Sequence, residues 1–211
     1  MTEQEWLAAT DPTPMLRLLE GKVSDRKLRL FACACARDVE DCTRRWGNVS
    51  VTELVERYAD GQAAPNEVET ASADVKYAAY GQVYQIGDAF GVIEAALHRN
   101  SYESATQAAM WLKGFYHYEA PEYPGLRPVA FCRDLFGNPF RPILLEPACR
   151  TSTVLSLAQG IYADRAFDRL PILADALQDA GCDNDDILSH CRSDGPHVRG
   201  CWPVDLLLGK S

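Results

Sequence analysis

The chain has 211 residues, 47% of them hydrophobic and 24% charged, which is enough to bury a substantial core. Its 21 basic and 30 acidic residues give a net charge of -9, so it would repel a phosphate backbone, and nucleic acid is not expected as a partner. No segment approaches the roughly 20 apolar residues of a membrane span, and the N-terminus carries acidic residues where a secretory signal is basic. A cytoplasmic protein without membrane or nucleic-acid partners is predicted.

Apolar residues spaced by three and four predict a long helix from about residue 24 to about residue 44. Its buried stripe comprises Leu28, Phe31, Cys35, Val39 and Cys42. Cys35 and Cys42 are therefore expected to be buried thiols. Together with Cys33 they form the pattern C-x-C-x6-C, which lacks the C-x2-C pair of a zinc knuckle.

Further helices are indicated by their start and stop signals. Two predicted capping boxes, Ser50 with Glu53 and Asn66 with Glu69, each begin a helix. The helical stretch from 68 to 97 contains Gly81, Gly87 and Gly91, and because an interior glycine costs a helix about 1 kcal/mol, it is predicted either to break near Gly81 or to let another helix approach closely. Ser101 is predicted to cap the helix that follows.

The proline-rich segment 119–128 is the predicted boundary between two regions, because a helix does not tolerate three prolines in ten residues. The N-terminal helical region is 1–118. The proline-rich connection and the C-terminal helical region make up 119–211, and the two regions are expected to pack as one unit, with room for two lobes. No alternating strand is visible, so the predicted fold is an all-α, compact multi-helix domain.

Helices in the C-terminal region are predicted by proline near their starts and glycine near their ends. One covers 129–136, with Pro128 in its first turn, and another begins at about 151. A third has Pro171 in its first turn and ends at Gly181, and a short helix capped by Asp183 or Asn184 ends at 191. The last helix is predicted to begin at Pro203 and to end at 209.

Five sequence blocks resemble the signature blocks of a large paralogous family of uncharacterised proteins from bacteria with large genomes. The blocks are EWLAATDP at 5–12, DRKLRLFACAC at 25–35, FGNPFRP at 136–142, FDRLPILADAL at 167–177 and HVRGCW at 197–202. They reach towards both ends of the chain, whereas the middle, from about 51 to 125, resembles the family only loosely. The resemblance implies a helical, cytoplasmic bacterial protein, and it implies no activity, cofactor or catalytic residue.

A cluster of soft ligands near the C-terminus is the constellation that could carry chemistry. The candidate metal ligands are Cys182, His190, Cys191, His197 and Cys201. Four of them could form a tetrahedral zinc site, with His197 and Cys201 on one helical face if a helix began early, although their spacing matches no standard zinc module. In a second interpretation, Cys191 is a nucleophile activated by His190 or His197. In a third, the cysteines and histidines only complete the core and the helix ends.

The turn 136–142 is a second candidate site. Its candidate binding residues are Phe136, Asn138, Phe140 and Arg141, which could clamp a ligand or dock the two regions together. Because no acid, base and nucleophile converge on one motif, the predicted function is a noncatalytic interaction or regulatory module with an unidentified protein partner. The alternative is a metal-dependent or cysteine-dependent enzyme centred on the C-terminal cluster.

Overall fold

The computed structural model describes residues 1–44, 51–79, 87–118 and 127–210, and in these ranges it contains 12 α-helices and no strand. The predicted all-α class is confirmed. The chain divides into two compact units, Met1–Cys132 and Arg133–Ser211. The segment 119–126, which holds most of the predicted boundary, lies outside the described residues. In the described part of the chain, no helix combines the length and the hydropathy needed to cross a membrane.

The first unit is built around one long central helix. Its helices are α1 (Glu3–Ala8), α2 (Pro12–Leu19), α3 (Asp25–Arg44), α4 (Thr52–Ala59), α5 (Pro65–Ala79), α6 (Gly87–Ala96) and α7 (Ser101–Tyr118), and α8 (Arg127–Phe136) runs across the division. Helix α3 packs against α4, α6 and α7. Its predicted stripe is confirmed for Leu28, Phe31, Cys35 and Val39, which are all buried. The side chain of Cys42 lies outside the described residues.

The predicted capping boxes of the first unit are not the caps that the structure shows. Helix α4 begins after Val51, which makes no side-chain cap, while Ser50 lies outside the described residues. The prediction for Asn66 was wrong, because α5 already begins at Pro65, a residue suited to the first helical position. The preceding residue, Ala64, donates its backbone N–H to the Glu67 carboxylate at 2.8 Å.

Ser101 is also not the cap of its helix. Asn100 takes that place, and its Oδ1 accepts the backbone N–H groups of Tyr102 at 2.9 Å and Glu103 at 3.0 Å. An asparagine side chain is among the best N-caps, so it outcompetes the neighbouring serine. The Ser101 hydroxyl donates instead to Asp25 Oδ1 at 2.6 Å.

The second unit contains the end of α8 and four further helices. These are α9 (Ser152–Asp164), α10 (Leu170–Asp179), α11 (Asp185–Cys191) and α12 (Trp202–Leu208). Helix α9 packs against α10 and α12, and α10 packs against α11. The predicted signals are confirmed here: Asn184 caps α11 by accepting the Ile187 N–H at 3.1 Å, and Gly181 and Gly209 follow α10 and α12 with positive φ.

Helices α6 and α7 approach so closely that one position must be glycine. A Cβ atom on Gly91 would lie 2.5 Å from Cδ2 and 2.8 Å from Cγ of Trp111. Gly160, in the middle of α9, has no such neighbour within 4 Å. The two glycines therefore differ in whether a methyl group can be added.

Gly91→Ala is expected to lower the free energy of unfolding by about 1 to 3 kcal/mol, the usual cost of overpacking a filled contact. The matched control Gly160→Ala should instead raise it by roughly 0.5 to 1 kcal/mol, because alanine is the better residue in an open helix interior. Urea unfolding followed by circular dichroism measures both variants. Equal effects of the two substitutions would contradict the close packing of α6 against α7.

Candidate metal centre

A buried carboxylate lies at the centre of a polar cluster in the second unit. Asp134, in the last turn of α8, has only 3% of its side chain exposed. Its Oδ1 lies 2.7 Å from His197 Nδ1 and 3.0 Å from His190 Nε2, and its Oδ2 accepts the backbone N–H of Val198 at 2.9 Å. Each carboxylate oxygen therefore has at least one partner, which a buried charge requires.

His190 reaches the cluster from the last turn of α11. Its Nε2 lies 3.3 Å from Cys201 Sγ as well as beside Asp134. On the other side of the ring, Nδ1 accepts the indole N–H of Trp202 at 3.1 Å. Both ring nitrogens of His190 are thus engaged.

His197 lies in the connection between α11 and α12. Its Nδ1 faces Asp134 and lies 3.9 Å from Cys201 Sγ. Its Nε2 lies 3.2 Å from the backbone carbonyl of Ser193, which can only accept, so Nε2 carries a hydrogen. The ring is 8% exposed in its side-chain atoms, so it is almost as well buried as the carboxylate.

Four potential ligand atoms converge at this point. One atom each from Asp134, His190, His197 and Cys201 lies within 4.8 Å of the other three, so the cluster could hold a metal ion. In a tetrahedral zinc site the ligand atoms are about 3.3 Å apart, or about 3.6 Å where one is sulfur, from zinc–ligand lengths of about 2.0 to 2.3 Å. Four of the six separations are 2.7, 3.0, 3.3 and 3.9 Å, close to those values, and all six lie within 4.8 Å.

The cluster's electrostatics favour a charged carboxylate. Burial alone would raise the pKa of Asp134, but hydrogen bonds from His190 and His197 outweigh it and hold the pKa below its usual range. For His197, burial lowers the pKa, but the hydrogen bond to Asp134 and its charge raise the pKa by more, so the net change is an increase. The cluster therefore holds a negative centre that attracts protons or cations.

Of the five ligands predicted from the sequence, the structure brings three together and leaves two outside. His190, His197 and Cys201 belong to the cluster. Cys182 and Cys191 are buried in the hydrophobic core of the second unit, to which Cys201 also belongs, but they are not part of the cluster. His197 and Cys201 meet without the helix that was expected to align them, because the connection before α12 folds back around Asp134.

Cys191 does not have the environment of a nucleophile. Its side chain is fully buried, and burial raises the pKa of the thiol to about 12, with the Asp134 charge adding to the increase. His190 directs Nε2 towards Cys201 and Asp134. The interpretation of Cys191 as an activated thiolate was therefore wrong, since a thiol with this pKa is protonated at neutral pH.

The candidate residues of the turn 136–142 form a local turn on the surface of the second unit. Asn138 Oδ1 accepts the backbone N–H of Phe140, and the Asn138 carbonyl accepts that of Arg141, each at 3.0 Å. Phe140 and Arg141 are exposed, and Phe136 is half-buried. Gly137, with φ of +61°, lies against Trp202, since a Cβ there would be 3.3 Å from the indole. The turn thus packs beside the cluster, and its ligand-binding role stays a prediction.

Asp134 is the member of the cluster that the sequence did not reveal. It lies 56 positions before His190, in a helix that shares no motif with the C-terminal cluster. One signal was present: an acidic residue in the last turn of a helix opposes the helix dipole. It also falls three positions after Phe131 and beside Leu135, which are buried. A carboxylate placed there needs a compensating partner from elsewhere in the fold.

Comparison with models of known protein families, with curated proteins and with solved structures gives no match for this chain. The family resemblance inferred from the sequence blocks therefore stays a prediction. Function has to be argued from the cluster itself.

Asp134→Asn is expected to lower the free energy of unfolding of the metal-free protein by about 3 to 5 kcal/mol, because removing one partner of a buried ion pair leaves the other uncompensated. The matched control is Asp175→Asn, which breaks the exposed pair with Arg192 and should cost less than about 1 kcal/mol. Urea unfolding in the presence of a chelator measures the free energy of unfolding of both variants. Similar losses in the two variants would show that the Asp134 charge does not organise the unit.

Proposed function

We propose that this chain is a noncatalytic helical module whose second unit is stabilised by one structural zinc ion. The ligands are Asp134 Oδ1, His190 Nε2, His197 Nδ1 and Cys201 Sγ. The observation that carries the proposal is the convergence of these four atoms within 4.8 Å of one another. A cluster formed only to satisfy polar groups has no need to direct a thiol, two imidazoles and a carboxylate at one point.

The donor set selects the metal. One sulfur, two nitrogens and one oxygen form a set of intermediate softness, which suits zinc and excludes calcium and magnesium, since those ions prefer oxygen ligands throughout. Zinc also accepts tetrahedral geometry without electronic preference. The four ligand separations given above need shifts of only about half an ångström to fit such a tetrahedron.

The outer contacts of two proposed ligands support the metal site. Asp134 keeps Oδ2 on the backbone N–H of Val198, which leaves Oδ1 as a single coordinating oxygen. His197 donates its outer N–H to the Ser193 carbonyl, an arrangement that fixes ring orientation in many metal sites. Both ligands are thus held in place before an ion arrives.

A structural role is favoured by closure of the site. Four protein ligands fill a tetrahedral zinc ion, whereas catalytic sites keep one position for water or substrate. Cys201 is fully buried and Asp134 is 3% exposed, which limits access by a substrate. Helices α11 and α12 have seven residues each, too short to be stable alone, so an ion at their junction would add needed stability.

An interaction or regulatory role is the remaining part of the proposal. The segment between α8 and α9 exposes large apolar side chains, with Leu144 91% exposed and Phe140 38% exposed. Such side chains are available to a protein partner. In this proposal the zinc ion stabilises the second unit, and the exposed apolar side chains bind the protein partner.

A metal-dependent enzyme is the second candidate, and one contact favours it. If His190 stays hydrogen-bonded to Trp202, three ligands remain for the ion and one position is open, as in catalytic zinc sites. Cobalt substitution separates the candidates, since Co²⁺ held by four protein ligands has no bound water, whereas three protein ligands leave a bound water whose deprotonation makes the visible absorption depend on pH.

Protein purified without an affinity tag is expected to contain one zinc ion per chain by elemental analysis. The Co²⁺-substituted protein should show a thiolate charge-transfer band. Cys201→Ala should lose both the ion and the band because it removes the only sulfur ligand of the proposed site. Cys191→Ala, equally buried in the same unit, should keep both and so controls for lost packing. Metal-free parent protein that also fails to bind added Zn²⁺ would refute the proposal.

A further inference from the structure

The hydrogen bond between Trp202 and His190 sets the tautomer of one proposed ligand. The indole N–H can only donate, so His190 Nδ1, at 3.1 Å, must accept and carries no hydrogen. The neutral His190 ring therefore has its hydrogen on Nε2, the nitrogen that faces Asp134 and Cys201. In this state Nε2 has no lone pair to offer a metal ion.

The bound state requires the opposite arrangement. A zinc ion on Nε2 needs the lone pair there, so the neutral ring must carry its hydrogen on Nδ1. Nδ1–H would then point at the indole N–H, and two donors would face each other. The Trp202 hydrogen bond and the zinc–His190 bond therefore exclude one another.

The two histidines differ in this respect. His197 presents its outer nitrogen to the Ser193 carbonyl, an acceptor that suits a metal-bound ring once Nδ1 has released the hydrogen that it shares with Asp134. His190 presents its outer nitrogen to a donor. One histidine is prepared for the ion, and the other is held in a competing hydrogen bond.

We propose that the Trp202 indole N–H competes with the metal for His190, so that zinc binding releases Trp202 and the ion is held reversibly. This inference rests on the zinc site proposed above. Trp202 is the first residue of α12 and follows the ligand Cys201, so its release couples the ion to the start of that helix. Because the indole is only half-buried, it can turn away from His190 without emptying the core.

Trp202→Phe removes the competing donor and keeps an aromatic ring. We expect it to bind Zn²⁺ several-fold and up to about tenfold more tightly than the parent, since one neutral hydrogen bond contributes about 1.4 kcal/mol at most and that energy no longer opposes the ion. The matched control is Trp111→Phe, in the first unit, which should leave the affinity unchanged. Competition with a chromophoric chelator measures the Zn²⁺ affinity of the parent protein and of both variants. Unchanged or weaker binding by a folded Trp202→Phe protein overturns the inference.

A second measurement uses the unaltered chain and is independent of how well the variant folds. In ¹⁵N-labelled protein, the Trp202 indole resonance, assigned by its absence in Trp202→Phe, should shift and exchange faster with solvent when Zn²⁺ is added. Long-range ¹H–¹⁵N spectra should show His190 changing from the Nε2–H to the Nδ1–H form. An indole resonance and a His190 tautomer that stay fixed in zinc-loaded protein overturn the inference.

The two proposals fail in different ways. If neither the parent nor Trp202→Phe binds Zn²⁺, the zinc site is wrong and this inference falls with it. If the parent binds one Zn²⁺ through Cys201 while Trp202 keeps its hydrogen bond, the zinc site stands and only the competition is wrong.

Discussion

The second unit depends on one buried negative charge. A carboxylate removed from water is costly unless hydrogen bonds and opposite charges replace its hydration. Asp134 obtains these from two imidazoles and one backbone N–H, which are supplied by the last turn of α11 and by the connection that follows it. The connection before α12 must therefore fold back over the end of α8, and that path is what positions Cys201 beside His190. The same constraint explains why the connection between α11 and α12, which contains glycine and proline, has a defined structure.

Protons and a metal ion are alternative occupants of this centre. Without the ion, the histidines provide the hydrogens that Asp134 needs, so the unit has a satisfied polar core in that state as well. A site of this kind differs from the small zinc modules that are unfolded without metal. In the proposed function, the ion changes the stability of a fold that already exists, and the cost of displacing existing hydrogen bonds reduces the affinity for it.

Helices and their ends were largely predictable because their signals are local. Asn184, Gly181 and Gly209 act where the sequence placed them, since caps depend on neighbours a few residues away. Asn66 and Ser101 were misassigned because a proline and an asparagine nearby are stronger start signals. The candidate site was only half predictable: clustered ligands in sequence identified His190, His197 and Cys201, but no local pattern links them to Asp134. Cys182 and Cys191 share that stretch of sequence and face the core, which depends on the orientation of α11 and on the turn before it.

The separation of the ligands along the chain has a consequence for the unfolded state. Asp134 and His190 are 56 positions apart, so an ion held by both closes a large loop. Closing a loop of this size removes conformational entropy from the unfolded chain equivalent to about 4 kcal/mol, by the relation used for disulfides. An ion here would act as a cross-link that needs no oxidising compartment. It would form when metal is supplied and be lost when metal is withdrawn, and its loss would first release the start of α12, because the proposed ligand Cys201 directly precedes that helix.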